Sequence, residues 1–289
     1  MYDKIIISII GGIFMNRLLI KKQAKASLKG KWGRAIGLCL VAAILTSVIP
    51  GIFYGIATAF STTKQTAEGI KITSTTATGT IFFIIAIIAL AVISPLFQYA
   101  QSKAFLKANR GEDFTVGNVF DGFKENPGKT FAVGILQFFV IWLCYFIPSF
   151  IGGIFLGFAG GRAESIQNSA SIFTAKEDLV KLMASVGPLI IIAFAFFVAA
   201  IVIGIIATFM YQLVYYVRID NPDMSVVQIL KTSRQIMHGR KIDFFVLHFT
   251  FIGWAIVSCI TCGIGFLWFV PYVQAATAAF YDDAKDQII

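Results

Sequence analysis

The sequence predicts an all-α, polytopic integral membrane protein of six transmembrane helices with two cytoplasmic interfacial amphipathic helices. Three observations carry that expectation. Of the 289 residues, 57% are hydrophobic and only 13% are charged, about half the charged fraction of a soluble domain. Apolar runs approach or exceed the roughly 20 residues that a helix needs to cross a bilayer. Basic residues collect beside alternate runs, as orientation signals do. The net charge of +9 therefore points to anionic headgroups and topology rather than to nucleic acid.

Residues 1–14 read as an extension from a mis-called start. Tyr2 to Phe14 is apolar but too short to span. It resembles a signal-peptide core, yet Asp3-Lys4 is a weak basic region and no small-residue cleavage site follows. Gly11-Gly12-Ile13-Phe14-Met15 can be encoded by GGAGG followed closely by ATG. The native start is accordingly expected at Met15, and the intact mass of the mature protein tests it. Residues 15–34 form a basic cytoplasmic amphipathic segment. In it Leu18, Leu19, Ala24 and Leu28 alternate with Lys21, Lys22, Lys25, Lys29 and Lys31. Trp32 stands where an indole favours the membrane interface.

Residues 35–283 are expected to form the six-span membrane domain, and 284–289 a cytoplasmic tail. Span one is Ala35–Phe60, with Pro50-Gly51 inside it, and a Thr/Ser-rich polar loop follows to Thr80. Span two, Ile81 to about Phe105, contains Pro95, and span three, Phe131–Phe158, contains Pro148. Arg162–Ser185 reads as a loop with a surface helix at Ala175–Met183. Span four is Leu189–Val217, span five Phe244–Thr261, and span six Phe266–Tyr281. With this arrangement 19 of the 24 Lys and Arg residues fall on one side, which puts both termini in the cytoplasm. Spans five and six are short, roughly 24–27 Å of helix, and a re-entrant hairpin would leave the charge count unchanged.

An internal echo accompanies the spans. Asp113 to Phe120 follows span two, and Asp223 to Leu230 follows span four. In both, Thr115 or Ser225 stands as an N-cap before an apolar stripe. Ser225 with Gln228 makes a capping box, and Gly239 is placed to end that helix. Phe97-Gln98 and Tyr211-Gln212 correspond upstream. A parallel duplication and convergence on one interfacial solution both account for this.

Residues able to carry chemistry are few. No Asp, Glu, Lys or Arg falls in the centre of a span, where ion-coupled transporters keep such groups. His248 is the titratable candidate at depth, and Gln212 is a second intramembrane polar candidate. Both read most simply as helix–helix hydrogen-bonding groups. Lys231, Arg234, Arg240 and Lys241 are the candidate lipid-headgroup residues. Cys259-Ile260-Thr261-Cys262 is a CxxC, but no second pair or His-x-His accompanies it, so it reads as small apolar residues at a helix end. No Walker loop, nucleophile elbow or zinc-protease motif is present. No catalytic residue, metal or cofactor is expected.

The last quarter resembles a known family. Tyr216 to Asp220 with Asn221-Pro222-Asp223-Met224-Ser225, then Ser233-Arg234, Met237, Gly239 and Lys241 form one block. Phe251-Ile252-Gly253-Trp254, Gly263-Ile264-Gly265, Leu267-Trp268, Pro271-Tyr272 and Ala279-Phe280-Tyr281 form the next. Together they resemble the carboxy-terminal signature of a bacterial family of multipass membrane proteins catalogued as domain of unknown function 975. Met15 onward, through Ala24-Lys25 and Leu28-Lys29-Gly30 to Trp32, is similar to that family's amino terminus. The chain departs from the pattern at Val202-Ile203-Gly204, where Ile-Pro-Gly is expected. The resemblance implies no reaction.

The function expected is non-enzymatic: a membrane scaffold or accessory protein acting on lipid organisation, envelope stress or resistance to membrane-active peptides. The alternative is a transporter or channel component for a hydrophobic or amphipathic substrate. Expected partners are membrane lipids and either a second copy or a membrane partner protein.

Overall fold

The computed structural model describes residues 18–65, 71–169 and 175–285. The start extension at 1–14 and the last four residues lie outside them. Two compact units are present, one of Met1–Ile135 with Gln212–Ile289 and one of Leu136–Tyr211.

In the first unit residues 18–27 form α1, whose Ile20 and Ala24, with Leu28 just beyond, are buried while the intervening lysines are not. Helix α2 is Trp32–Ala59 and α3 is Ala77–Asn109. The polar loop expected between them is instead an antiparallel hairpin, β1 (Ser61–Gln65) on β2 (Lys71–Thr75), in the register Ser61↔Thr75. Its Thr- and Ser-rich sequence suits a pleated ribbon better than a coil. Thr76 ends it and caps α3: its hydroxyl accepts from Gly79 N–H at 3.3 Å and donates to the Phe60 carbonyl at 2.8 Å.

Helix α3 is exposed in its first half and enclosed in its second. Ile81, Ile84, Ile87, Ile88 and Leu90 are exposed, whereas Pro95, Leu96, Phe97, Tyr99, Ala100 and Phe105 are buried. Helix α2 mirrors this, burying Ala35, Leu38, Cys39 and Ala42 and exposing Ile44, Val48 and Ile52. The enclosing residues come from a 3-10 helix, Val116–Phe120, and from α4, Asp121–Lys124. Phe97 meets Phe120 and Phe123 edge-on, at 6.5 and 5.4 Å between centroids, and packs with Ala42 and Val119. Gly122 is required here, since a Cβ would come within 2.1 Å of the Leu96 carbonyl oxygen.

Helix α5 is Pro127–Ser169, with Pro at the position where a helix can spare an N–H. Asn126 precedes it at φ 49°, and its side chain accepts from Lys129 N–H at 3.3 Å. Helix α6 is Ala175–Met210, so the surface helix expected at 175–183 is the start of one long helix. The second unit is built from these two. Gly152 lies against the Ala193 backbone, a Cβ on Gly204 would enter the Tyr145 ring, and Phe155 stacks on Phe196 at 5.8 Å. Gln137 donates to the Tyr211 carbonyl at 3.0 Å.

Back in the first unit, α7 (Val214–Asp220) is almost wholly buried. Helix α8 (Val226–Ile236) starts with the expected capping box: Gln228 N–H donates to the Ser225 hydroxyl and the Gln228 amide oxygen accepts from Ser225 N–H at 2.9 Å. The first copy of the echo is capped in the same way, Asn118 accepting from Thr115 N–H at 2.7 Å, but continues only as the 3-10 turn and α4. The segment expected as span five is two helices, α9 (Lys241–Phe249) and α10 (Ile252–Ile260), broken at Thr250-Phe251. Helix α11 (Phe266–Lys285) buries Ala275, Ala276, Ala278, Ala279, Phe280 and Tyr281 against α2 and α3 rather than presenting an apolar surface all round.

Among the described residues five helical segments are long and apolar enough to cross a membrane: Trp32–Ala59, Ala77–Asn109, Pro127–Ser165, Leu182–Asp220 and Lys241–Ile260. Helix α11, with Asp282, Asp283 and Lys285 at its end, is not among them. Most of their large apolar side chains face outward, on a scale that a water-soluble surface does not carry. This is the make-up of a membrane protein.

Candidate functional site

The charged residues of the first unit gather where helix ends meet. Helices α3, α7 and α11 bring their carboxy-terminal ends together, and each end carries partial negative charge from its unsatisfied carbonyls. Arg110, the residue that closes α3, answers all three. Its guanidinium donates to both Asp220 oxygens at 2.7 and 2.8 Å and to Asp282 at 2.8 Å. Asp220 also accepts from Lys285 at 2.8 Å and from the Tyr281 hydroxyl at 3.0 Å. Asn109 donates to Asp282 at 2.7 Å. The Asp220 hydrogen bonds raise the Arg110 pKa above its already high value, against a smaller opposing effect of burial. Tyr216 stacks on Tyr281 at 5.4 Å beneath this knot and closes it from the apolar side.

A second cluster lies at the junction of α4 and α5. Glu125 accepts from Lys103 and, at 2.8 Å, from the Tyr99 hydroxyl. Burial pushes the Glu125 carboxyl up, and these hydrogen bonds outweigh it, so the group stands below the usual glutamate range. Arg218 donates to the carbonyls of Glu125 and Asn126 at 2.8 and 3.1 Å, and its guanidinium lies 4.8 Å from the Tyr99 ring centroid. Lys129 donates to the Pro222 carbonyl and so holds the Asn221-Pro222-Asp223 turn. At the start of α2, Lys31 pairs with Asp113 at 2.9 Å and donates to the Glu112 carbonyl at 2.8 Å. Lys31 draws the Asp113 carboxyl below its ordinary value.

The residues singled out from sequence do not converge. Lys231 and Arg234 are exposed on α8. Arg240 is turned inward, paired with Asp283 at 2.5 Å and Asp243 at 3.5 Å and lying 5.2 Å over Phe280. Lys241 is half-buried at the start of α9. His248 sits with Nδ1 3.0 Å from the Phe244 carbonyl and its ring 4.1 Å from that of Phe244, which is helix packing. Gln212 is exposed in the turn between α6 and α7. The Arg110, Asp220 and Asp282 knot was not among the candidates. Its signal was present in the placement of scarce acidic residues immediately after apolar helices.

Among the described residues no group of three or more His, Cys, Asp or Glu could hold a metal ion. An open groove of about 490 Å³ lies beside α1, lined by Leu19, Ile20, Lys22, Gln23, Ala26 and Asp283. It sets Lys22, Gln23 and Asp283 beside Leu19, Ile20 and Ala26, a surface suited to an amphipathic group more than to bond-making chemistry.

The model of a family described as protein of unknown function (DUF975) matches residues 15–287. No curated protein and no solved structure matches the chain.

Proposed function

From the premise that the chain belongs to that family, we propose that it is a non-enzymatic scaffold or accessory protein of the bacterial plasma membrane. Both termini lie in the cytoplasm, and its work is on lipid organisation and resistance to membrane-active agents. One observation carries this reading: the charged groups of the first unit join helix ends to one another. Arg110, Lys103, Arg218, Arg240 and Lys285 are each bonded to acidic side chains or carbonyls of other elements. A protein that organises lipid needs such a rigid anchor and an apolar exterior, and both are present. The topology is supported by the same contacts. The start of α2 and the ends of α3, α7 and α11 meet in one charged layer, on the side where the sequence concentrates its bases.

Lys231 and Arg234, exposed on α8, are the residues proposed to hold anionic headgroups. A deletion strain challenged with membrane-active peptides tests the function. Increased sensitivity, restored by the wild-type gene, is expected, and unchanged sensitivity across peptides and detergents refutes it. Movement of a fluorescent lipid or peptide by the protein in liposomes would instead establish the transport alternative. Native mass spectrometry of K231A/R234A is expected to show fewer retained anionic lipids. If the number is unchanged, these bases serve topology alone.

A further inference from the structure

Helices α10 and α11 form a hairpin closed by Thr261–Gly265, and its depth can be read against α3. The Asn109–Asp282 hydrogen bond fixes those two positions at one level. Both helices rise from that level toward their amino-terminal ends. At 1.5 Å per residue α11 rises about 24 Å to Phe266, while α3 continues for about 48 Å to Ala77. The hairpin thus stops near the middle of α3. Burial records the same step, because α3 is enclosed from Pro95 onward and exposed before it.

Phe251, in the break between α9 and α10, gives a second marker. Its ring meets Tyr272 at 5.2 Å, and the Lys21 ammonium lies 4.9 Å from its centroid. A lysine on a basic amphipathic helix marks the membrane surface. Beyond it α10 contributes nine residues, about 14 Å, or half of the roughly 30 Å hydrocarbon core. From the matching level on α3, near Tyr99, about 33 Å of helix remains, enough to cross.

The turn itself is built for hydrocarbon. Thr261, Cys262, Gly263 and Ile264 donate their N–H groups to the carbonyls of Val257, Cys259, Ser258 and Thr261 at 3.0–3.1 Å. Gly265 N–H donates to the Thr261 hydroxyl at 3.1 Å, and that hydroxyl donates to the Ser258 carbonyl at 3.0 Å. Backbone donors in a bilayer must be satisfied within the protein, and those of this turn are.

We propose that residues 252–271 form a re-entrant hairpin. It enters from the cytoplasmic leaflet, turns near the bilayer midplane and returns. The chain then has four full crossings, α2, α3, α5 and α6. Length and apolarity admit Lys241–Ile260 as a crossing, but that span counts α9, which runs beside the charged end of α11, Phe244 on Phe280 at 5.0 Å. The hairpin's partner is a single lipid monolayer. Trp254, Ile260, Ile264 and Trp268 are 51–75% exposed and take up acyl chains of the cytoplasmic leaflet.

The inference rests on the membrane reading and is tested separately from function. In C39A/C144A/C259A only Cys262, at the exposed tip, remains. The protein, labelled there with bimane, is reconstituted in vesicles with lipids brominated at graded depths. Strongest quenching by the deepest bromines is expected, with no labelling of Cys262 by an impermeant maleimide on intact cells. Shallow quenching with labelling from outside overturns the proposal. I264C in a background free of native cysteines repeats the measurement should the first variant fold poorly. T78C in that background is expected to label from outside. If it does not, the membrane orientation fails rather than the hairpin.

Discussion

Replacing Asp220 with Ala tests whether the knot of helix ends holds the first unit together. The carboxylate receives Arg110 twice, Lys285 and Tyr281, all between 2.7 and 3.0 Å. Its side chain is 14% exposed, against 33% for Arg110 and 32% for Lys285. A fully exposed pair contributes about 0–1 kcal/mol, and truncating one partner of a buried pair costs about 3–5 kcal/mol. This site lies between the two. Arg110 also keeps Asp282 at 2.8 Å, so its charge is not stranded when Asp220 is lost. The expected cost is about 2 kcal/mol, seen as a fall in Tm of several degrees at about 2–4 °C per kcal/mol. A cycle of D220A, R110A and the double variant, followed by unfolding of the purified protein in mild detergent, should give a coupling of about 1–2 kcal/mol. D113A, which removes an exposed partner of Lys31, should leave the Tm almost unchanged. If D220A matches D113A, or the coupling falls below about 0.3 kcal/mol, the knot is ornament and the packing beneath it carries the stability.

Three further outcomes are expected. G122A should lower the folded yield and cost about 3 kcal/mol or more, because the new Cβ meets backbone at Leu96 that cannot step aside; G117A, with 3.6 Å to its nearest neighbour, should be tolerated in the same detergent melt. C262G should raise stability by about 1 kcal/mol, since Cys262 holds φ 51°, a conformation that glycine adopts without a Cβ penalty; an unchanged or lower Tm would contradict that. Glu125 has a folded-state pKa below its unfolded one, so its contribution is present above about pH 4.3 and is lost as pH falls through the folded value; wild type should therefore lose more stability than E125Q between about pH 5 and pH 3, and parallel acid curves would refute the assignment.

Long apolar helices were legible because nothing else fits so many consecutive uncharged residues. The caps at Thr115 and Ser225 were legible because their chemistry is local and lies within four residues. The hairpin at Ser61–Thr75 was missed because Thr/Ser runs read equally as coil until a partner strand is known. Short apolar segments defeated the reading for a different reason. Phe266–Tyr281 has a composition fit for lipid, yet its Ala-rich half is covered by protein. Periodicity cannot tell a lipid neighbour from a helix neighbour. The same ambiguity concealed the site. Arg240 looks like any surface base until Asp283 is seen beside it, whereas Lys231 and Arg234 do stay at the surface.

The knot also sets an order of events during synthesis. Arg110 meets its two acidic partners only 110 and 172 residues later in the chain. While the intervening helices are being threaded into the bilayer, its charge has no carboxylate to face and must wait in water. Closure of such distant contacts is slow relative to local helix formation. The unfinished molecule is therefore a set of inserted hairpins with an open charged base, vulnerable there to proteases and receptive to insertion factors. Completion of α11 converts that base into one locked layer, so quality control of this protein should sense its last helix rather than its first.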